Sequence, residues 1–137
     1  MINVSPRRQG DLGEISAIEW LSAQGYSVYV PLGHSPHFDL IADSGHGLLR
    51  VQVKTCTVFR MGRWEVTLST RGGNQTWNGL VKRLDRKRID SLFVLVGDGR
   101  RWFIPADSVA GGTGILLGGP KYADFEVDPG RPLLLHR

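Results

Sequence analysis

The chain has 137 residues and a net charge of +4. That length suits a single domain, 1–137, with a core of its own, and the charge favours anionic partners, nucleic acid ahead of an acidic membrane. A single cysteine, Cys56, excludes an internal disulfide framework. No run approaches the ~18 apolar residues of a membrane span and the start has no signal-type apolar core, so a soluble cytoplasmic protein with no membrane partner is expected.

Ser5-Pro6 reads as an N-cap followed by proline at the first helical position. A helix is predicted from there, or from nearer Asp11 given Gly10 and Gly13, to about Gln24, with Gly25 to stop it. Glu14, Ala17, Ile18 and Leu21 fall at i, i+3, i+4 and i+7, so Glu14 heads an apolar stripe. A carboxylate there is costly unless it is paired or metal-bound. Either Asp11 to Glu14 is a capping box, or Glu14 is functional.

Ser27 to Val30 reads as a short strand ended by Pro31, and Leu32 to His37 as a loop. Phe38 to Ile41 and Val51 to Thr55 read as two strands joined by the polar turn Asp43 to Gly47. Along the second, Leu49, Val51 and Val53 face one way, and Arg50, Gln52 and Lys54 the other. Gln52 and Lys54 therefore stand side by side, roughly 6.5–7 Å apart, with Asp39 in reach if the strands pair. The patch reads either as water-facing strand residues or as a metal-dependent phosphate site.

Trp64 to Ser69 alternates as a strand, and Thr70 to Asn74 reads as a polar loop. From Trp77 the spacing of Leu80, Val81, Leu84 and Arg88 predicts an amphipathic helix with Lys82, Arg83, Arg86 and Lys87 on its outer face. Ser91 to Val96 is continuously apolar, as in a strand buried on both faces. Gly97 to Gly99 turns it back into Arg101 to Ile104, closed by Pro105. Ala110 to Gly119 is glycine-rich without a P-loop lysine, and reads as surface loop. Residues 125–127 and 133–135 read as short edge pieces. The order predicts an α/β fold, with a mixed central sheet flanked by helices.

Glu14, Asp39 in Phe-Asp-Leu and the run Gln52-Val53-Lys54 together resemble the PD-(D/E)xK nuclease superfamily. Gln-Val-Lys-Thr, Gly10 to Glu14, Gly25-Tyr26, the Pro31 loop and Trp102 to Pro105 are similar to its group I intron-encoded homing endonuclease branch. Two positions depart from the superfamily. Gln52 stands where an acid is usual, removing one negative charge, and Phe38 stands where a proline is usual. The resemblance implies a restriction-endonuclease-like core in αβββαβ order and a DNA endonuclease dependent on Mg²⁺, with Mn²⁺ able to substitute. Catalytic positions would be Glu14, Asp39, Gln52 and Lys54. Asp39 would be the principal metal ligand, helped by the Gln52 amide oxygen, the Val53 carbonyl and Glu14. Lys54 would orient or deprotonate the attacking water.

Arg60, Arg63, Arg71, Asn74, Gln75, Lys82, Arg83, Arg86 and Lys87 are the candidate contacts to double-stranded DNA. A chain this short covers few base pairs, so a homodimer or homotetramer is expected for a long site. His34 and His37 read as a polar turn, and Cys56 as a small core residue. Two other functions fit the same residues, a Holliday-junction resolvase-like nuclease and a DNA-binding module that no longer cuts.

Overall fold

The computed structural model describes residues 5–33, 35, 37–71 and 81–133. It opens with helix α1 (Pro6–Ala23). The Ser5 hydroxyl accepts the Arg8 N–H at 3.2 Å and Pro6 opens the first turn, so the helix starts at the earlier of the two expected points. Asp11 to Glu14 is therefore mid-helix, which rules out the capping box. At the other end Gly25 adopts φ +96°. The Tyr26 N–H reaches the Leu21 carbonyl and the Gly25 N–H reaches that of Ser22, which is a Schellman close.

The strands follow as β1 (Ser27–Tyr29), β2 (Leu40–Asp43), β3 (Leu48–Cys56), β4 (Phe59–Arg60), β5 (Arg63–Thr67) and β6 (Thr70–Arg71). Then come β7 (Val81–Lys82), β8 (Ser91–Val96), β9 (Arg101–Pro105), β10 (Gly114–Leu117) and β11 (Glu126–Val127). The main sheet has the order β1-β2-β3-β8-β9-β11. β3 and β8 run parallel and the other neighbours antiparallel, so the sheet is mixed as expected. β10-β5-β4 form a second sheet and β6-β7 a short ribbon.

Two cores lie on the two faces of the main sheet. Ala17 and Leu21 of α1 pack on Leu40, Val51, Val53, Phe93 and Leu95. On the other face Trp64, Val66, Ile115 and Leu117 of the small sheet pack on Leu92, Val94, Val96, Trp102 and Ile104. β8 thus has every residue buried, as its unbroken apolar run requires.

Four expectations are corrected. No helix runs over residues 81–88. Val81 and Lys82 pair with β6, and Asp85 organises a turn by accepting the Lys87 N–H on its side chain and the Arg88 N–H on its carbonyl. The earlier part of that predicted helix, residues 77–80, lies outside the described residues, as do the candidate DNA contacts Asn74 and Gln75. Ala110 to Gly119 is not all surface loop, because β10 pairs with β5 and buries Ile115 and Leu117. The sheet is not flanked by helices on both faces. Among the described residues α1 is the only α-helix, and the small sheet covers the second face. Finally, of the edge piece expected at 133–135 only Leu133 is among the described residues; it lies in no strand, but is buried and donates its N–H to the Gly97 carbonyl. Among the described residues no helix is long and apolar enough to cross a membrane.

Candidate active site

The site grows from a mismatch in strand length. The β2–β3 hairpin closes through a tight turn, in which the Asp43 carboxylate accepts the Gly45 N–H at 2.8 Å and Gly45 takes φ +87°. Pairing then runs from Asp43↔Leu48 to Leu40↔Val51 and stops, while β3 continues to Cys56. The flank of β3 beyond Val51 has no β2 backbone to bond. Asp39, the residue just before β2, fills the gap. Its own N–H donates to the Val51 carbonyl at 2.8 Å, and its Oδ2 accepts the Val53 N–H at 2.7 Å.

Asp39 Oδ2 also accepts Nε2–H of Gln52 at 3.3 Å. Lys54 follows two residues on, on the same face as Gln52 and half-buried. Burial pushes the Lys54 ammonium below the usual lysine range, and the Asp39 charge works against that fall. In an antiparallel strand each residue turns its N–H and C=O to the same side, so the Val53 carbonyl also faces the flank that β2 leaves open. Asp39, Gln52, Val53 and Lys54 are thus brought together at one open edge of the sheet.

Glu14 is placed differently. Its helix covers the opposite face of β3, the one bearing Val51, Val53 and Thr55. Contact is closest at Gly13, where a Cβ would run into Thr55 Oγ1 and touch Val53. The Thr55 hydroxyl donates to the Gln9 carbonyl at 3.2 Å and pins the same crossing. Glu14 is the next residue, half-buried at this seam. Among the described residues no strand pairs with β3 beyond Val51 on the side where Asp39 sits.

Arg50 shares the face of Gln52 and Lys54, and sequence reasoning assigned it no partner. It is bound to Asp90. The Asp90 carboxylate accepts the Arg50 N–H at 2.7 Å and two guanidinium N–H groups at 3.0 and 3.3 Å. The Arg50 guanidinium holds the Asp90 carboxyl below the usual carboxylate range. This clamp fixes the start of β8 beside β3 and neutralises the charge at that end of the row. A lone Asp opening a buried apolar strand was the one signal for it.

The candidate DNA contacts scatter. Arg60 is exposed and lies 3.6 Å from Glu65. Arg63 is half-buried at the start of β5. Arg71 and Lys82 sit on the β6–β7 ribbon. Arg83 and Lys87 are exposed in the segment after it, and Arg86 donates to the Val109 carbonyl at 2.6 Å. His37 makes a local turn, its N–H donating to Ser35 Oγ, and His34 lies outside the described residues. Cys56 is buried and donates to the Glu65 carbonyl; burial raises its thiol pKa, which suits a core residue and not a nucleophile.

A family model described as PD-(D/E)XK endonuclease matches residues 4–115. The chain belongs to the PD-(D/E)XK endonuclease family. The match spans Glu14, Asp39, Gln52 and Lys54. The fold is also similar to the structure of a bacterial homing endonuclease, I-Ssp6803I, with a TM-score of 0.68 and 24% sequence identity over 91% of this chain and 88% of that one. No curated protein matches the chain. In this PD-(D/E)XK chain the mixed sheet is a restriction-endonuclease-like core whose second covering layer is a sheet.

The groups at the open edge are a carboxylate, an amide and a backbone carbonyl. That is an all-oxygen set, once the Gln52 amide turns its Oε1 inward, and it suits a hard divalent cation such as Mg²⁺ over a thiolate- or imidazole-seeking metal. Among the described residues no three His, Cys, Asp or Glu side chains gather where they could hold a metal ion.

Proposed function

We propose that this PD-(D/E)XK protein is a Mg²⁺-dependent DNA endonuclease of homing type, cutting at a specific site. The observation that carries the reading is the Asp39 carboxylate anchored by Val53 N–H and Gln52 at the open edge of β3, with Lys54 beside it. Hydrolysis forms a new P–O bond to water and breaks the bond to one sugar oxygen, which leaves with a proton. Asp39, the Gln52 amide oxygen and the Val53 carbonyl would hold Mg²⁺ or Mn²⁺, with Glu14 reaching in around the strand edge. The ion, when bound, supplies Lewis-acid stabilisation of the phosphate and a reactive water. Lys54 would orient the attacking water and accept its proton, for which its lowered pKa suits it. Gln52 removes a charge that an acidic residue would supply, so the site carries less negative charge against the phosphate.

The cations Arg60, Arg63, Arg71, Lys82, Arg83, Arg86 and Lys87 would meet phosphates and base edges of double-stranded DNA. A homodimer or homotetramer would lengthen the contacted site, and sedimentation with and without a duplex reads the assembly directly. Cleavage itself is tested on supercoiled plasmid. The wild type should nick in Mg²⁺ and Mn²⁺ and stop in EDTA, and Asp39→Ala and Lys54→Ala should not nick. Tight binding without nicking in either ion would leave a DNA-binding module. Cutting of four-way junctions regardless of sequence would mean a resolvase-like enzyme.

A further inference from the structure

A cleft of about 450 Å³ opens on the layer formed by β10 and β5, within the size range of ligand sites. Its walls include Arg63, Gly119, Lys121 and Tyr122, with Leu116 and Pro120 supplying apolar surface, and no acidic residue among the described ones lines it. Among the described residues neither Arg63 nor Lys121 is in an ion pair, whereas Arg50, Arg60, Arg88, Arg100 and Arg101 each are. The Arg63 guanidinium is held in place, donating an N–H to the Gly62 carbonyl at 3.1 Å. A Cβ at position 119 would occupy the space of the Arg63 guanidinium, so Gly119 lets that side chain lie across the backbone. Tyr122 adopts φ +100°, a conformation that side-chain-bearing residues rarely take. It is buried, and its hydroxyl accepts the Ala110 N–H at 3.0 Å. The Lys121 ammonium stands 5.6 Å over its ring. Strained backbone of this kind collects at ligand clamps.

We propose that this cleft holds a phosphate of the DNA backbone between Arg63 and Lys121, with the attached deoxyribose against Leu116 and Pro120, apart from the residues that cut. It rests on the DNA-cutting reading and extends it. Lys121 and Tyr122 lie beyond residues 4–115 of the family match. The contact is to backbone and not to a base edge, so it adds affinity without sequence preference.

The test is binding of a short duplex in EDTA, followed by anisotropy between about 50 and 200 mM salt. Lys121→Gln and Arg63→Gln should each weaken binding about threefold whatever the sequence, and lower the slope of log affinity against log salt by about one. Arg131→Gln, which removes an exposed charge elsewhere, should keep the wild-type slope. Wild-type slopes in both cleft variants, with the wild type binding duplex, would overturn the proposal and leave the nuclease reading standing. No duplex binding by the wild type would take down both. Inorganic phosphate is titrated in parallel by amide NMR. Shifts at Gly119 and Lys121, together with an unaltered salt slope in the variants, would assign the cleft to a free phosphate ligand and overturn the backbone contact.

Discussion

Lys54 is a base candidate because two forces on it are unequal. Its stem is half out of water, which disfavours the ammonium, and Asp39 only partly restores it. Nicking should therefore rise about tenfold per pH unit and level off below the usual lysine value of about 10.4. Lys54→Ala should lose about 10²–10⁴-fold in rate and flatten that rise; a wild-type profile in the variant would remove Lys54 as the base. Gln52→Glu should stay folded and need less Mg²⁺ for half-maximal nicking, since it restores a carboxylate, and unfolding of that variant by circular dichroism would give Gln52 a structural role instead. The pairing of Gln52 with Lys54 was legible in the sequence, because strand alternation alone places them on one face. The bond from Val53 N–H to Asp39 was not. It depends on β2 stopping at Leu40, which no local pattern dictates. Nor was the clamp of Arg50 by Asp90, whose partners are 40 residues apart.

At the level of elements, α1 meets β3 through the absence of a side chain. Replacing a helical glycine with alanine ordinarily gains about 1 kcal/mol. Here the added methyl meets Thr55 Oγ1, so Gly13→Ala should instead cost about 1–3 kcal/mol. Thr55→Ala on the same chain should recover most of the loss in urea unfolding. Independent, additive costs would mean that the crossing is not a direct contact. α1 and β8 were readable because cap, stop signal and apolar run are all local. The helix expected after Trp77 fails over 81–88 because its apolar spacing competes with partners distant in the chain. Leu84 gives its N–H to the Gly112 carbonyl and packs beside the small-sheet core, and Val81 and Lys82 pair with β6. β10 was hidden for the same reason. Glycines at its ends signal a loop, while its ladder partner β5 lies far back in the sequence.

Over the whole molecule, two carboxylate–arginine clamps tie the sheet together, Asp90 with Arg50 between β3 and β8, and Glu126 with Arg100 beside β9 and β11. Both carboxyls sit below their ordinary pKa, chiefly through hydrogen bonds from the arginines. A carboxyl lowered by folding stabilises the fold above its unfolded pKa and loses that contribution as pH falls through the folded value. Thermal stability should therefore hold near neutrality and drop below about pH 4. Asp90→Asn should be less stable at neutral pH and show a shallower acid loss, whereas an unchanged acid profile would mean that the clamp contributes nothing. The deepest dependence of the account is on the convergence at the open edge of β3. Anomalous scattering from Mn²⁺-soaked crystals reads it without recourse to activity. The predicted result is a peak in bonding reach of the Asp39 carboxylate, the Gln52 amide oxygen and the Val53 carbonyl; a peak elsewhere with this edge empty would contradict it.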